Sequence, residues 1–297
     1  MRIDTTPIEY LMTAADTRIY IKRDDLIPFS FGGNKVRIAD CVFREMESKG
    51  CDTVISYGSR SSNLNRVIAH MAAREKKNCI VILKKEENEP ETFNERMIRE
   101  SGAVIVKTEP ENVRKTVQEV LSSSRKRGEY PYYIYGDETG KGGEDVLRRA
   151  YAGVFREICS QEEQLSVHFD RIYVPVGTGS TYEGLLSACD PGHRITGISI
   201  ARTHEDAGSL KDGSYITDEY RMGGYGKYGP EIGELILRMI SVYGIPMDPT
   251  YTGKAFYGML KETEKGTGDR NVLFIHTGGA PLFFDFIRNY KEVSYEL

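Results

Sequence analysis

Short runs of branched and aromatic residues alternate along the chain with longer stretches whose apolar positions recur at helical spacing. TVISY at 53–57 predicts a buried strand. In the stretch that follows, Leu64, Val67, Ile68, Met71 and Ala72 fall on one helical face, with Ser or Asn to cap its start. CIVIL at 79–83 is a second strand, and the stretch after Pro90 is helical to about Gly102, a C-cap glycine. AVIV at 103–106 is a strand, 110–127 a polar helix, YYIY at 132–135 a strand, and about 143 to 159 a helix. The second half keeps the rhythm. IYVPV at 172–176, ITGISI at 195–200 and NVLFI at 271–275 predict strands, the first and last each running into a helix. Residues 230–244 and 253–266 predict two further helices. The Gly- and Tyr-rich segment 205–229 has weak periodicity and reads as loop. Strand–helix–strand repetition with short connections implies an α/β protein whose parallel sheets are covered by helices on both faces.

The chain has 297 residues, enough for one large or two medium domains. Net charge is −4 with both signs mixed, so no basic face marks nucleic acid as a partner. No apolar run approaches the roughly 20 residues that span a bilayer, and MRIDTTPIEY has no apolar signal core. The expectation is a cytoplasmic protein with neither nucleic-acid nor membrane partners. Five cysteines at 41, 51, 79, 159 and 189 form no C-x-x-C pair, and no H-E-x-x-H occurs, so neither a disulfide framework nor a metal site is expected.

Ligands of open parallel sheets bind beyond the carboxyl ends of the strands. The loops there are Gly58-Ser-Arg-Ser-Ser62-Asn63, Gly177-Thr178-Gly179-Ser180-Thr181 and His276-Thr277-Gly-Gly279. All are rich in small and hydroxyl residues, and Gly32-Gly33-Asn34-Lys35 opens a helix elsewhere. GTGST also opens a helix, where free N–H groups, the helix dipole and two hydroxyls favour a phosphate. Two nucleotide motifs fail here. The dinucleotide pattern G-x-G-x-x-G would need glycine where Tyr182 stands, and Gly184 is followed by Leu185 rather than the lysine of a Walker loop. A plain glycine turn remains the alternative for this loop, and an ordinary surface lysine for Lys35 taken alone. Together, a phosphate cradle without a nucleotide motif and a lysine able to form a Schiff base point to pyridoxal phosphate.

The blocks TPIEYL, IKRDDL (21–26), FGGNKVR, SSNLNR, VGTGSTYEGLL (176–186), GGYG (223–226), DPTYTGKA (248–255) and IHTGG (275–279) stand in order over nearly the whole chain. In them the sequence resembles the D-cysteine desulfhydrase and 1-aminocyclopropane-1-carboxylate (ACC) deaminase family. These are fold-type II, tryptophan-synthase-beta-like pyridoxal-phosphate enzymes. The resemblance implies two open twisted, mostly parallel sheets flanked by helices. It places a small domain at 38–145 and a large cofactor-binding domain at 1–37 plus 146–297, with the cofactor in the cleft between them. It implies that Lys35 holds the cofactor covalently and moves the substrate Cα proton. Asn63 would bond the ring 3′-oxygen. Ser62 would lie beside the substrate as carboxylate ligand, nucleophile or proton relay. Gly177, Thr178, Gly179, Ser180 and Thr181 would hold the phosphate. Tyr225 and Tyr251 would contact substrate or serve as acid and base. Thr252 and Thr277 would set the surroundings of the ring nitrogen. Simple packing remains the alternative for both tyrosines, and a helix cap for Ser62 and Asn63. His276 reads as structural.

Two positions discriminate within the family. ACC deaminases carry Glu in the DPxYEGK block and Leu in the HLGG block, where this chain has Thr252 and Thr277. Both point to the D-cysteine desulfhydrase side. The asparagine loop departs from the family's Q-S-N-H or Q-S-N-Q and reads Ser61-Ser62-Asn63-Leu64. The implied activity is α,β-elimination on a small amino acid, giving a keto acid, ammonia and sulfide or another leaving group. The alternatives are ACC ring opening, β-replacement, or a catalytically inactive cofactor-binding protein. A homodimer is implied by the family alone.

Overall fold

The computed structural model describes residues 3–86, 90–201 and 213–290. The chain divides into two compact units. The first comprises Met1–Thr5, Ile27–Ser160 and Ser180–Ala188, and the second Thr6–Leu26, Gln161–Gly179 and Cys189–Leu297.

The first unit is built on a four-stranded, all-parallel sheet. Its strands are β3 (Thr53–Gly58), β4 (Asn78–Lys84), β5 (Val104–Thr108) and β6 (Pro131–Tyr133), in the order β5-β4-β3-β6. Because side chains alternate across a strand, the apolar runs separate into two cores. Val54, Val81 and Leu83 pack with α1 (Asn34–Ser48), α2 (Asn63–Arg74) and α3 (Phe93–Glu100). Ile55, Ile80 and Ile82 pack instead with Val117 and Leu121 of α4 (Val113–Lys126). Burial on both faces explains why neither TVISY nor CIVIL alternates apolar with exposed polar residues.

The second unit holds a six-stranded sheet of β1 (Ile8–Ala14), β2 (Thr17–Lys22), β7 (Arg171–Val176), β8 (Arg194–Ser199), β9 (Tyr215–Thr217) and β10 (Asn271–Ile275). Its order is β1-β2-β10-β7-β8-β9. Only the β1–β2 hairpin is antiparallel; the other four pairings are parallel. Ile19, Ile21, Tyr173, Ile198, Val272 and Phe274 form a core with α7 (Pro230–Tyr243), α8 (Thr252–Glu264) and α9 (Ala280–Asn289). Helix α5 (Glu144–Leu165) ends in this unit, and α6 (Ser180–Ala188) belongs to the first. Two mostly parallel sheets flanked by helices are therefore present as expected.

Two details differ from the sequence reading. The β1–β2 hairpin was not anticipated, and part of the 205–229 loop is the short strand β9. Residues 202–212 of that region lie outside the described residues. Since β10 and β7 are parallel neighbours, the loops 276–279 and 177–179 leave the same end of the sheet side by side.

Candidate active site

Lys35 is the second residue of α1, and the turn before it is conformationally unusual. Ser30, Phe31, Gly32 and Gly33 all have positive φ, from 49° to 94°. The left-handed region costs a non-glycine residue on the order of 1–3 kcal/mol, so Ser30 and Phe31 need external support. The Arg66 guanidinium supplies it, bonding both the Ser30 carbonyl and, at 2.6 Å, its hydroxyl. Lys35 is half-buried, and among the described residues its amine has no hydrogen bond or ion pair. Burial pulls the amine from 10.5 down to about 8. Its neighbour Asn34 donates at 2.9 Å to the hydroxyl of Thr181, in the first turn of α6.

Ser62 and Asn63 open α2. Ser62 is its N-cap and accepts from the Asn65 amide at 3.2 Å, and its hydroxyl proton has no acceptor among the described residues. Asn63 is half-buried, and its carbonyl oxygen accepts from Asn94 at 3.1 Å and from Arg66 at 3.3 Å. The Asn63 amino group is thereby left without a partner among the described residues.

In the second unit the predicted residues gather beyond β7 and β10. The Tyr251 ring lies over Gly177, where an added Cβ would come within 3.2 Å of Cε1. Its hydroxyl stands 3.5 Å from that of Tyr225, with the rings edge to face at 5.8 Å. Gly179, at φ 100°, makes the bend into α6. The buried Asp248 carboxylate organises the next loop. It accepts the amides of Thr250 (2.9 Å), Tyr251 (2.7 Å) and Thr252 (3.1 Å), and the Thr252 hydroxyl (2.8 Å). Burial raises this carboxyl above its usual range, against the hydrogen bonds that favour its charged form. Thr252 Oγ also accepts the Asp248 amide, so its proton and one lone pair are committed within the loop. By contrast, Thr277 is buried, and its hydroxyl has no partner among the described residues.

Two supports in the DPTYTGKA block were not assigned from sequence. One is Asp248. The other is Lys254, fully buried, whose ammonium donates to the carbonyls of Ile200 (3.1 Å), Arg221 (2.9 Å) and Gly224 (2.6 Å). It ties the Tyr225 loop to the end of β8, and burial lowers its amine to about 8. His276 locks the turn before α9. Nδ1 accepts the Gly278 amide at 3.2 Å, so Nε2 carries the proton and donates to the Pro246 carbonyl at 2.9 Å.

Residues 1–278 match the family described as pyridoxal-phosphate dependent enzyme. The chain belongs to that family. It is 31% identical to "Putative 1-aminocyclopropane-1-carboxylate deaminase" of Pyrococcus abyssi, over 95% of this chain and 91% of that one. It is 29% identical to the D-cysteine desulfhydrase of Salmonella paratyphi A, over 95% of this chain and 93% of that one. The crystal structure of an ACC deaminase homologue superposes with a TM-score of 0.83 at 30% identity, covering 95% and 92% of the two chains.

The residues fit the cofactor that defines the family. Lys35 offers an unpaired amine shifted toward its nucleophilic, neutral form. The start of α6 follows a left-handed glycine, Gly179, and carries Ser180 and Thr181 in its first turn, a helix N-terminus suited to an anion. Asn63, whose oxygen is taken by Asn94 and Arg66, has its amino group available, and Thr277 has a buried hydroxyl, both without a partner among the described residues. Because only the neutral amine reacts, capture of pyridoxal phosphate by cofactor-free protein should quicken about tenfold per pH unit below pH 8 and level off above it. Stopped-flow absorbance measures this; a rate still climbing to pH 10 would show that the amine is not lowered.

Proposed function

We propose that this pyridoxal-phosphate enzyme is a lyase that removes ammonia from a small amino acid by α,β-elimination, with D-cysteine as the lead substrate. The observation that carries the reading is Thr277, a buried and unpartnered hydroxyl where the family's ACC deaminases have leucine. The nearest carboxylate to Thr252, that of Asp248, is filled by the 250–252 loop. A ring nitrogen held by a hydroxyl stays largely unprotonated. That gives a weaker electron sink than a carboxylate partner would, yet enough when thiolate leaves from Cβ.

When bound, the cofactor supplies a conjugated ring that delocalises negative charge developing at the substrate Cα. The chain's own residues do the rest. Amides and hydroxyls of Gly177, Thr178, Gly179, Ser180 and Thr181 would hold the phosphate, with Thr181 oriented by Asn34. Asn63 would donate to the ring oxygen, and Thr277 would meet the ring nitrogen. Lys35 would bind the aldehyde carbon and later take the Cα proton. Ser62, whose hydroxyl proton has no acceptor among the described residues, would bind the substrate carboxylate or relay a proton. Tyr251 and Tyr225, in contact through their hydroxyls, would face the substrate as proton donor and acceptor.

No helix among the described residues is long and apolar enough to cross a membrane. The reading includes a cytoplasmic homodimer by analogy with the family, which light scattering on the purified protein checks. The substrate assignment is tested with D-cysteine, L-cysteine, β-chloro-D-alanine and ACC, scored for sulfide, ammonia and keto acid. Sulfide and keto acid from D-cysteine are expected. Keto acid from ACC alone would favour ring opening, and bound cofactor without turnover on any substrate would favour a catalytically inactive protein.

A further inference from the structure

The Arg66 guanidinium is almost fully buried, and among the described residues no carboxylate pairs with it. A buried arginine without a counter-charge is costly and needs a compensating role. Its contacts indicate what that role is. Nη1 holds both oxygens of Ser30, Nε donates to Asn94 Oδ1 at 2.8 Å, and Nη2 donates to Asn63 Oδ1 at 3.3 Å. The Ser30 hydroxyl in turn donates to His70 Nδ1 at 2.7 Å, consistent with a neutral ring whose pKa burial and Arg66 both lower. The guanidinium also lies over the Phe31 ring at 5.7 Å.

An arginine side chain can only donate, and this fixes the sense of every amide around it. The Asn94 atom facing Nε must be oxygen, so its other arm is the amino group. That group donates at 2.7 Å to the Ser61 carbonyl and at 3.1 Å to Asn63 Oδ1. Two donors therefore converge on the Asn63 oxygen, and its amino group is forced the other way. If the Asn63 amide flipped, its amino group would face two donors inside the protein.

We propose that Arg66 and Asn94 are positioning residues that lock Asn63 with its amino group outward, as a donor to an anionic oxygen of the bound ring. This rests on the reading in which Asn63 meets the ring oxygen. A fixed donor there stabilises the oxygen's anionic form and so favours loss of the proton shared with the lysine nitrogen. Freeing Asn63 should raise the pH at which the visible band of the bound cofactor titrates.

The experiment compares holoenzyme of the wild type, Asn63→Ala, Asn94→Leu and Arg66→Lys. Asn94→Leu changes no charge, and Arg66→Lys keeps the charge while losing the planar fork. The band's titration should move up by about one pH unit in all three variants, with cofactor held roughly tenfold more weakly. Should the leucine variant not fold, Asn94→Ser removes the same amino group and is read in its place. A role confined to folding predicts lower melting temperatures with the titration unmoved. If Asn63→Ala shifts the band while the Asn94 and Arg66 variants do not, the positioning role is wrong and the placement of Asn63 stands. If Asn63→Ala itself leaves the band unmoved, the ring-oxygen contact is wrong and the proposal falls with it.

Discussion

Replacing Lys35 by alanine should abolish turnover, lowering kcat by about 10²–10⁴-fold or more, since a proton-transfer group alone contributes on that order. The variant would also lack a covalent hold on the cofactor, so the holoenzyme's visible band should be absent or displaced. Arginine at this position should not rescue. A guanidinium keeps the charge but stays protonated throughout the accessible pH range and cannot act as nucleophile or base. The helix itself should survive, because alanine is the better helix former and the Lys35 amine makes no hydrogen bond among the described residues. Turnover by rate of keto acid release, beside a thermal melt, separates the two effects. A Lys35→Ala protein with undiminished activity would remove Lys35 from the chemistry.

Asp248→Ala should cost about 3–5 kcal/mol of stability, because it orphans three backbone amides and a hydroxyl in a buried loop. The damage should reach beyond stability. Asp248 holds the amide of Tyr251, and its carboxylate packs against Gly279, where an added Cβ would fall 2.3 Å from Oδ2. One side chain thus sets both the Tyr251 loop and the turn that carries Thr277. Urea unfolding should show a lowered midpoint, and what folds should bind substrate poorly. An unfolding free energy within about 1 kcal/mol of wild type would mean that water or a neighbouring group replaces the carboxylate at little cost.

The parallel strands were legible because burial on two faces leaves short runs rich in branched and aromatic residues; TVISY, CIVIL and NVLFI each coincide with a strand. The β1–β2 hairpin was not, because β1 is an edge strand with several exposed positions. Its turn also uses Ala15 and Asp16 at positive φ instead of the glycine that marks such turns. Of the proposed site, Lys35, Asn63 and the GTGST loop announce themselves through local motifs. Their supports do not, since the meaning of Lys254 lies in carbonyls 30 to 54 residues away. Asn94 reaches Asn63 across 31 residues, and nothing in its own helix distinguishes it from a polar surface position. Thr252 shows the converse: a hydroxyl read toward a ligand has its proton committed to Asp248.

The central claim is a covalent link between Lys35 and the cofactor aldehyde, and borohydride reduction followed by peptide mass mapping tests it most directly. Reduced holoenzyme should carry one phosphopyridoxyl group on the peptide containing Lys35, with loss of the visible band. Modification at another lysine, or none after incubation with pyridoxal phosphate, would contradict the account.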